Sequence, residues 1–223
     1  AFKMSRYLMC FTGDARYGDW GERLVYNGIG ASIPMTADGR VFYYSDYQVD
    51  GAEKQNTETN WCWSCCTGTR PQAIADYYDQ VWFKDPDSLF VNLFTPSTVK
   101  WTNRGRSVAV RQTTRFPEEP TAQFALSVDQ PAEFAIKIRN PQWLAEPMSA
   151  TVNGQAVSLT VDSLHWAAVH RKWKNGDRLA ITLPMRLAAS SFDAPRPYPA
   201  AIQYGPVVLA FQAPGSSPFE MRW

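Results

Sequence analysis

The spacing of apolar residues changes once along the chain, and that change limits the fold more than any single motif. Up to about Lys84 they recur at helical intervals, whereas beyond Asp87 they alternate for about a hundred residues. In the first part, Met4, Leu8 and Phe11 form the stripe of an expected helix from Phe2 to Phe11, and "TGD" stops it. Asp14 then caps an expected second helix that carries Tyr17, Trp20 and Leu24 on one face and ends at Asn27-Gly28, giving an αα-hairpin. A turn at Ala37 to Arg40 leads into an expected strand from Val41 to Val49, and Asp50 to Asn60 read as loop. A third helix is expected with Thr69 as cap, Pro71 in its first turn and Ile74, Tyr77 or Tyr78, and Val81 facing inward; Pro86 stops it.

In the second part "LFVNLFT", "SVAVRQT", "AQFALSV", "AEFAIKIR", "SATVNG", "LHWAAVH" and "RLAITLP" read as short strands separated by Pro, Asn-Gly and Asn-Gly-Asp breaks. Alternation is cleanest in Phe124, Leu126 and Val128 and in Phe134, Ile136 and Ile138, so each strand buries one face. Two such faces packed together make an antiparallel β-sandwich. The junction between halves falls near Asp85 to Ser88. From Ser190, "SSFDAPRPYPAA" reads as a proline-rich connector, and "IQYGPVVLAFQ" as the start of a further β unit.

At 223 residues and 45% apolar, the chain has material for a substantial core. Its 22 Lys and Arg nearly balance 21 Asp and Glu with no basic run, which argues against nucleic acid as a partner. No apolar stretch nears the roughly 20 residues a membrane span needs. The first residues are no signal peptide, and because Ala1 leads directly into an amphipathic stripe, the chain is expected to be a piece of something longer.

Three of the four cysteines lie together in "NWCWSCCTGTRPQ", at Cys62, Cys65 and Cys66. A C-x-x-C pair can turn two thiolates toward one zinc ion, which takes about four ligands. His165 and His170, the only histidines, are expected on opposite faces of one strand and not as ligands. A metal site, a nucleophile, a vicinal disulfide and inert buried thiols all remain open on residue chemistry. The position just before an expected helix N-terminus favours a reactive thiolate, because the helix dipole and free amides lower a thiol pKa.

Several stretches taken together resemble glycoside hydrolase family 127, the β-L-arabinofuranosidase family. They are "TGDARYGDWGERLVYNG", "SCCTGTRPQAIADYY", "DSLFVNLFTPSTVKW", "IKIRNPQW", "VNG", "RKWKNGDRLAITLPM" and "QYGPVVLAF", in family order and over nearly the whole chain. The resemblance implies an α+β chain: residues 1–84 as the C-terminal remnant of an (α/α)6 barrel, 85–190 as an antiparallel β-sandwich, and 191–223 as connector and start of a further sandwich. It implies that Cys65 is both nucleophile and zinc ligand and Cys66 a second ligand, in a retaining mechanism on β-L-arabinofuranosides. The remaining two zinc ligands and the acid/base Glu of the family are expected upstream of Ala1, so the isolated chain is expected to be inactive and to bind zinc only with those groups. Glu22 matches a sugar-pocket glutamate of the family and Tyr44 a pocket tyrosine, although a solvated helix face and plain strand packing account for these two as well. Cys10 is read as core and Cys62 as a weak substitute ligand.

Thr67-Gly68-Thr69-Arg70 replaces the Pro-x-Asn that follows the cysteines in many members, as in a secreted-type branch. That leaves other furanosides open as substrates and points to a periplasmic or extracellular bacterial setting. The expected partners are a carbohydrate, such as an oligosaccharide derived from plant or algal polysaccharide, and the missing N-terminal half of the same enzyme. The competing reading is a non-catalytic carbohydrate-binding or packing module. A thiol redox or structural zinc protein is a third.

Overall fold

The computed structural model describes residues 1–32, 44–45, 54–55, 65–193 and 196–210, with side chains left undescribed at 32, 44–45, 54–55, 65–70, 192–193 and 196–199. The chain begins with α1 (Phe2–Thr12) and α2 (Arg16–Arg23). A π-helical turn, Leu24–Ile29, and a 3-10 turn, Gly30–Ser32, prolong α2. Asn27-Gly28 therefore does not end the helix as expected, because Gly28 keeps a negative φ inside the π-helical turn and does not take the left-handed conformation of a helix stop. A two-residue pair follows, β1 (Tyr44–Ser45) with β2 (Lys54–Gln55), so part of the expected 50–60 loop is strand. The rest of the expected 41–49 strand, and Cys62, lie outside the described residues.

Helix α3 (Cys65–Tyr78) starts four residues earlier than the expected Thr69 cap, which puts Pro71 inside the helix and the two cysteines on its first turn. The α1–α2 turn forms as expected at Gly13, which adopts φ 71°. Asp14 accepts the Arg16 N–H at 2.9 Å and chelates the Arg16 guanidinium, as a residue at a helix start should.

The expected inward faces of both helices are corrected. Phe2, Ser5 and Met9 are the buried side of α1, while Met4 and Phe11 are exposed, Phe11 at 86%. On α2 the buried residues are Gly18, Asp19, Gly21 and Glu22, and Trp20 is exposed. Periodicity finds apolar stripes, but this helix turns its polar face inward.

Fourteen strands follow in two main sheets and a smaller third. They are β3 (Trp82–Lys84), β4 (Ser88–Val91), β5 (Ser97–Asn103), β6 (Arg106–Thr114), β7 (Thr121–Val128) and β8 (Ala132–Arg139). Then come β9 (Ser149–Val152), β10 (Gln155–Val157), β11 (Thr160–Val161), β12 (Trp166–Trp173) and β13 (Arg178–Thr182). The last are β14 (Leu187–Asp193), β15 (Arg196–Tyr204) and β16 (Val207–Val208). A six-stranded sheet runs β10-β9-β13-β7-β6-β5, and a five-stranded sheet runs β11-β12-β8-β4-β3. All ladders are antiparallel except β4 with β8.

The inner faces close on one core that includes Leu89, Phe124, Leu126, Phe134, Ile136, Ile138, Trp173, Leu179 and Ile181. Asn153-Gly154 turns the β9–β10 hairpin with φ of 52° and 80°, the two left-handed residues of a type I′ turn. Arg104-Gly105 does the same between β5 and β6, a hairpin that sequence reading passed over. Strand β3 lies before the expected junction at 84/85 and pairs with β4.

The expected connector is instead strand. β14 and β15 pair antiparallel, and β16 joins only at Gln203 and Tyr204. Pro197 and Pro199 thus lie where β15 has no paired neighbour on one side among the described residues, which removes the objection to proline in a strand. His165 sits not in a strand but in the turn before β12, at φ 66°, while His170 is exposed within β12.

Candidate functional site

The helical segment packs on the outer face of the five-stranded sheet. Met9, Ala15 and Tyr17 meet Trp166, Phe83 and Phe90 there, and the Trp166 indole donates to Gly13 O at 2.7 Å. Beside this apolar patch lies Arg139, the last residue of β8, fully buried on the same outer face. Its Nε donates to Asn92 O at 2.7 Å, Nη1 to Asp19 Oδ1 and Nη2 to Glu22 Oε1. The second carboxylate oxygens are also engaged, Asp19 by the Gln142 N–H at 2.9 Å and Glu22 by the Trp143 indole at 2.8 Å.

Asp19 and Glu22 are three apart, so one face of α2 presents both carboxylates to one guanidinium. Gly18 lets them reach it, since a Cβ there would lie 2.6 Å from Arg139 Cδ and run into Asn92 Oδ1. One cation and two carboxylates share this buried site. Burial, with the neighbouring Asp19 charge, pushes the Glu22 carboxyl above its ordinary value of 4.5, and the pull of Arg139 and Trp143 offsets that only in part.

Other parts of the chain converge on the same junction. Trp143 stacks on Phe116 with ring centres 5.6 Å apart, and Tyr26 meets Phe116 edge-on. Asn27 donates to Pro206 O at 2.9 Å and accepts the Val208 N–H at 2.8 Å, clamping the β15–β16 turn to the π-helical turn. Gly205 allows that turn to close down, because a Cβ would stand 2.5 Å from Met185 Sδ and 3.6 Å from Trp143.

Helix α3 is tied in at its end. Burial raises the Tyr77 phenol above its ordinary value against a hydrogen bond to Thr95, and the fully buried Gln80 joins Ser5, Phe2 O and Asn92. The helix whose first turn bears Cys65 and Cys66 is thus fixed at its far end to the sandwich.

The stretches that meet here match two models of one family. Residues 1–79 match the β-L-arabinofuranosidase GH127 catalytic domain, and residues 88–185 match the GH127 middle domain. The chain belongs to glycoside hydrolase family 127. Among solved structures it is similar to Ara127N-Se, a GH127 β-L-arabinofuranosidase from Geobacillus stearothermophilus T6, at 25% identity and a TM-score of 0.76, covering 92% of this chain and 34% of that one. A protein described as a glycoside hydrolase matches at 24% identity and TM-score 0.76, over 92% and 35% of the two chains. The GH127 β-arabinofuranosidase BT3674 matches at 22% and 0.74, over 92% and 34%. The family-127 chain therefore spans about a third of the length of these structures. No curated protein matches it.

Of the expected site residues, Glu22 lies in the buried junction with both carboxylate oxygens engaged within the protein. Cys65 and Cys66 are consecutive on the first turn of α3, and Tyr44 lies in the short β1; the side chains of these three lie outside the described residues. Cys10 is exposed, not core as expected. Among the described residues no group of three or more His, Cys, Asp or Glu is placed to hold a metal ion, and no helix is long and apolar enough to cross a membrane. As donors, two adjacent thiols fit half of a four-ligand zinc site.

Sequence reading missed Asp19, Asn92, Arg139 and Trp143. One signal was available: Gly18-Asp19 and Gly21-Glu22 place two glycines and two acids on one helix face, a pattern suited to close polar packing. A second was an arginine ending an otherwise apolar strand.

Proposed function

We propose that this family-127 chain carries the nucleophile of a retaining glycosidase that acts on β-L-arabinofuranosides or related furanosides. The observation that supports this reading is the position of Cys65 and Cys66 on the first turn of α3, where unpaired backbone N–H groups favour a thiolate. In the proposed reaction Cys65 Sγ attacks the anomeric carbon while the bond to the glycosidic oxygen breaks, and that oxygen takes a proton from a general acid. Water then attacks the same carbon and gives up its proton to the deprotonated general acid, the C–S bond breaks, and the thiolate leaves with configuration retained.

Cys65 and Cys66 would hold zinc as two of about four donors; when bound, it keeps the sulfur deprotonated at neutral pH. Completing that shell and protonating the leaving group fall to residues other than these two. The half of the reaction proposed for this chain's own residues is transfer of the glycosyl group to Cys65 Sγ.

A β-L-arabinofuranoside whose leaving group departs without protonation, such as the 2,4-dinitrophenyl glycoside, isolates that half. The expected result, with zinc present, is a pentosyl adduct on the Cys65 peptide by mass spectrometry, lost in Cys65→Ala and retained in Cys10→Ser. An adduct on another residue, or none, would sink the assignment and leave the chain as a packing or binding module.

A further inference from the structure

We infer that the open outer face of the six-stranded sheet is a binding site for an acidic oligosaccharide, with Arg111 and Arg178 as its two anion contacts. Both arginines pair in register with Ala125, one from β6 and one from β13, so they flank a small residue on the strand between them. Two strand spacings separate their Cα atoms by about 10 Å, roughly the reach of a disaccharide. The next row of the same face is Thr113, Gln123, Ala180 and Thr151. Together these residues line an open cavity of about 410 Å³ whose floor is Ala125 and Ala180.

Neither guanidinium has a hydrogen-bond or ion-pair partner among the described residues. The contrast with Arg139, whose donors are engaged on three sides, is complete. The adjoining rows bring Thr98 beside Arg111 and place Lys100 beside Ala109 and Ser127, so the face carries three cations and no carboxylate at these registers.

Unpaired guanidiniums offer bidentate donors to carboxylates, and the threonines and Gln123 between them match sugar hydroxyls. Three cations are too few for the counterion-driven binding of nucleic acid, and the chain is near neutral overall. The carbohydrate part of this assignment rests on the family reading; the anionic part rests on the arginines alone. A site some distance in sequence from Cys65 would hold a uronate-bearing chain while its furanoside branches are processed elsewhere.

The test is calorimetric titration of the full chain with trigalacturonate, its fully methyl-esterified form, and inorganic tripolyphosphate. Trigalacturonate is expected to bind, to weaken with added salt, and to lose about tenfold or more in affinity in Arg111→Gln/Arg178→Gln. Those exposed substitutions are expected to leave the melting temperature unchanged. Equal binding of the methyl ester, no effect of the double variant, or tighter binding of tripolyphosphate would each overturn the proposal. Adduct formation at Cys65 is expected to persist in the double variant; if no adduct forms while trigalacturonate binding holds, only the catalytic reading fails.

Discussion

Strands β7 and β8 read almost alike in sequence, "TAQFALSV" and "AEFAIKIR", yet they end in different environments. In β7 burial alternates cleanly, with Ala122, Phe124, Leu126 and Val128 inside and Gln123, Ala125 and Ser127 outside. In β8 nearly every residue is buried, because the helices cover the second face of its sheet and Arg139 is drawn under them. An alternating pattern reports which face is apolar, but it does not report whether another layer lies on the polar face. The same residue type accordingly serves two ends: Arg139 is consumed in holding α2, and Arg111 and Arg178 are left open on the uncovered sheet.

The strongest way to break this contrast is to remove the covered arginine. Arg139→Ala leaves Asp19 and Glu22 buried without their cation, and urea unfolding is expected to show a loss of about 3–5 kcal/mol. Replacing both carboxylates as well, with Asp19→Asn and Glu22→Gln, is expected to recover part of that loss; additive losses would show that the three groups do not act together.

Gly18→Ala is the next largest, with a loss of about 1–3 kcal/mol, since its Cβ would meet Arg139 and Asn92. A neutral result there would mean that α2 does not approach the sheet as described.

Acidity sharpens the comparison at a smaller scale. Glu22 holds its proton more tightly folded than unfolded, so its contribution is fully present below 4.5 and is lost as pH rises through its raised pKa. Asp177, at the β12–β13 turn, has the opposite sign. Burial opposes its ionisation, but hydrogen bonds from Asn153 and the Lys174 N–H, with the charges of Arg171 and Lys174, hold it below its ordinary 3.8. Its contribution is present above 3.8 and is lost as pH falls through the lowered value. Stability measured against pH should lose its decline above 4.5 in Glu22→Gln, and its acid limb should weaken in Asp177→Asn. The reverse pattern would contradict the assignment. The smallest effect is expected at Arg111→Gln, within about 0.5 kcal/mol, as for exposed sites without partners.

Much of the sandwich was legible because Phe124, Leu126, Ile136 and Ile138 state their inward faces and Asn153-Gly154 states its turn. Strand β5 was missed because two of its four inward positions, Ser97 and Asn103, are polar, which leaves only Val99 and Trp101 to mark the period. The helical faces were misread for a reason of packing. Asp19 and Glu22 face inward only because Arg139 waits 117 to 120 positions later in the chain, and no local pattern carries that pairing. The cysteine pair was conspicuous at once, whereas the buried junction that anchors its helix was visible only in three dimensions.

Hydrogen exchange followed by mass spectrometry on Arg139→Ala tests most directly whether this buried arginine holds the cysteine-bearing helical layer on the sandwich. The expected result is a joint loss of protection in α1, α2 and α3, with β5, β6 and β7 keeping theirs. Unchanged protection in α2 and α3, or an equal loss across both sheets, would contradict it.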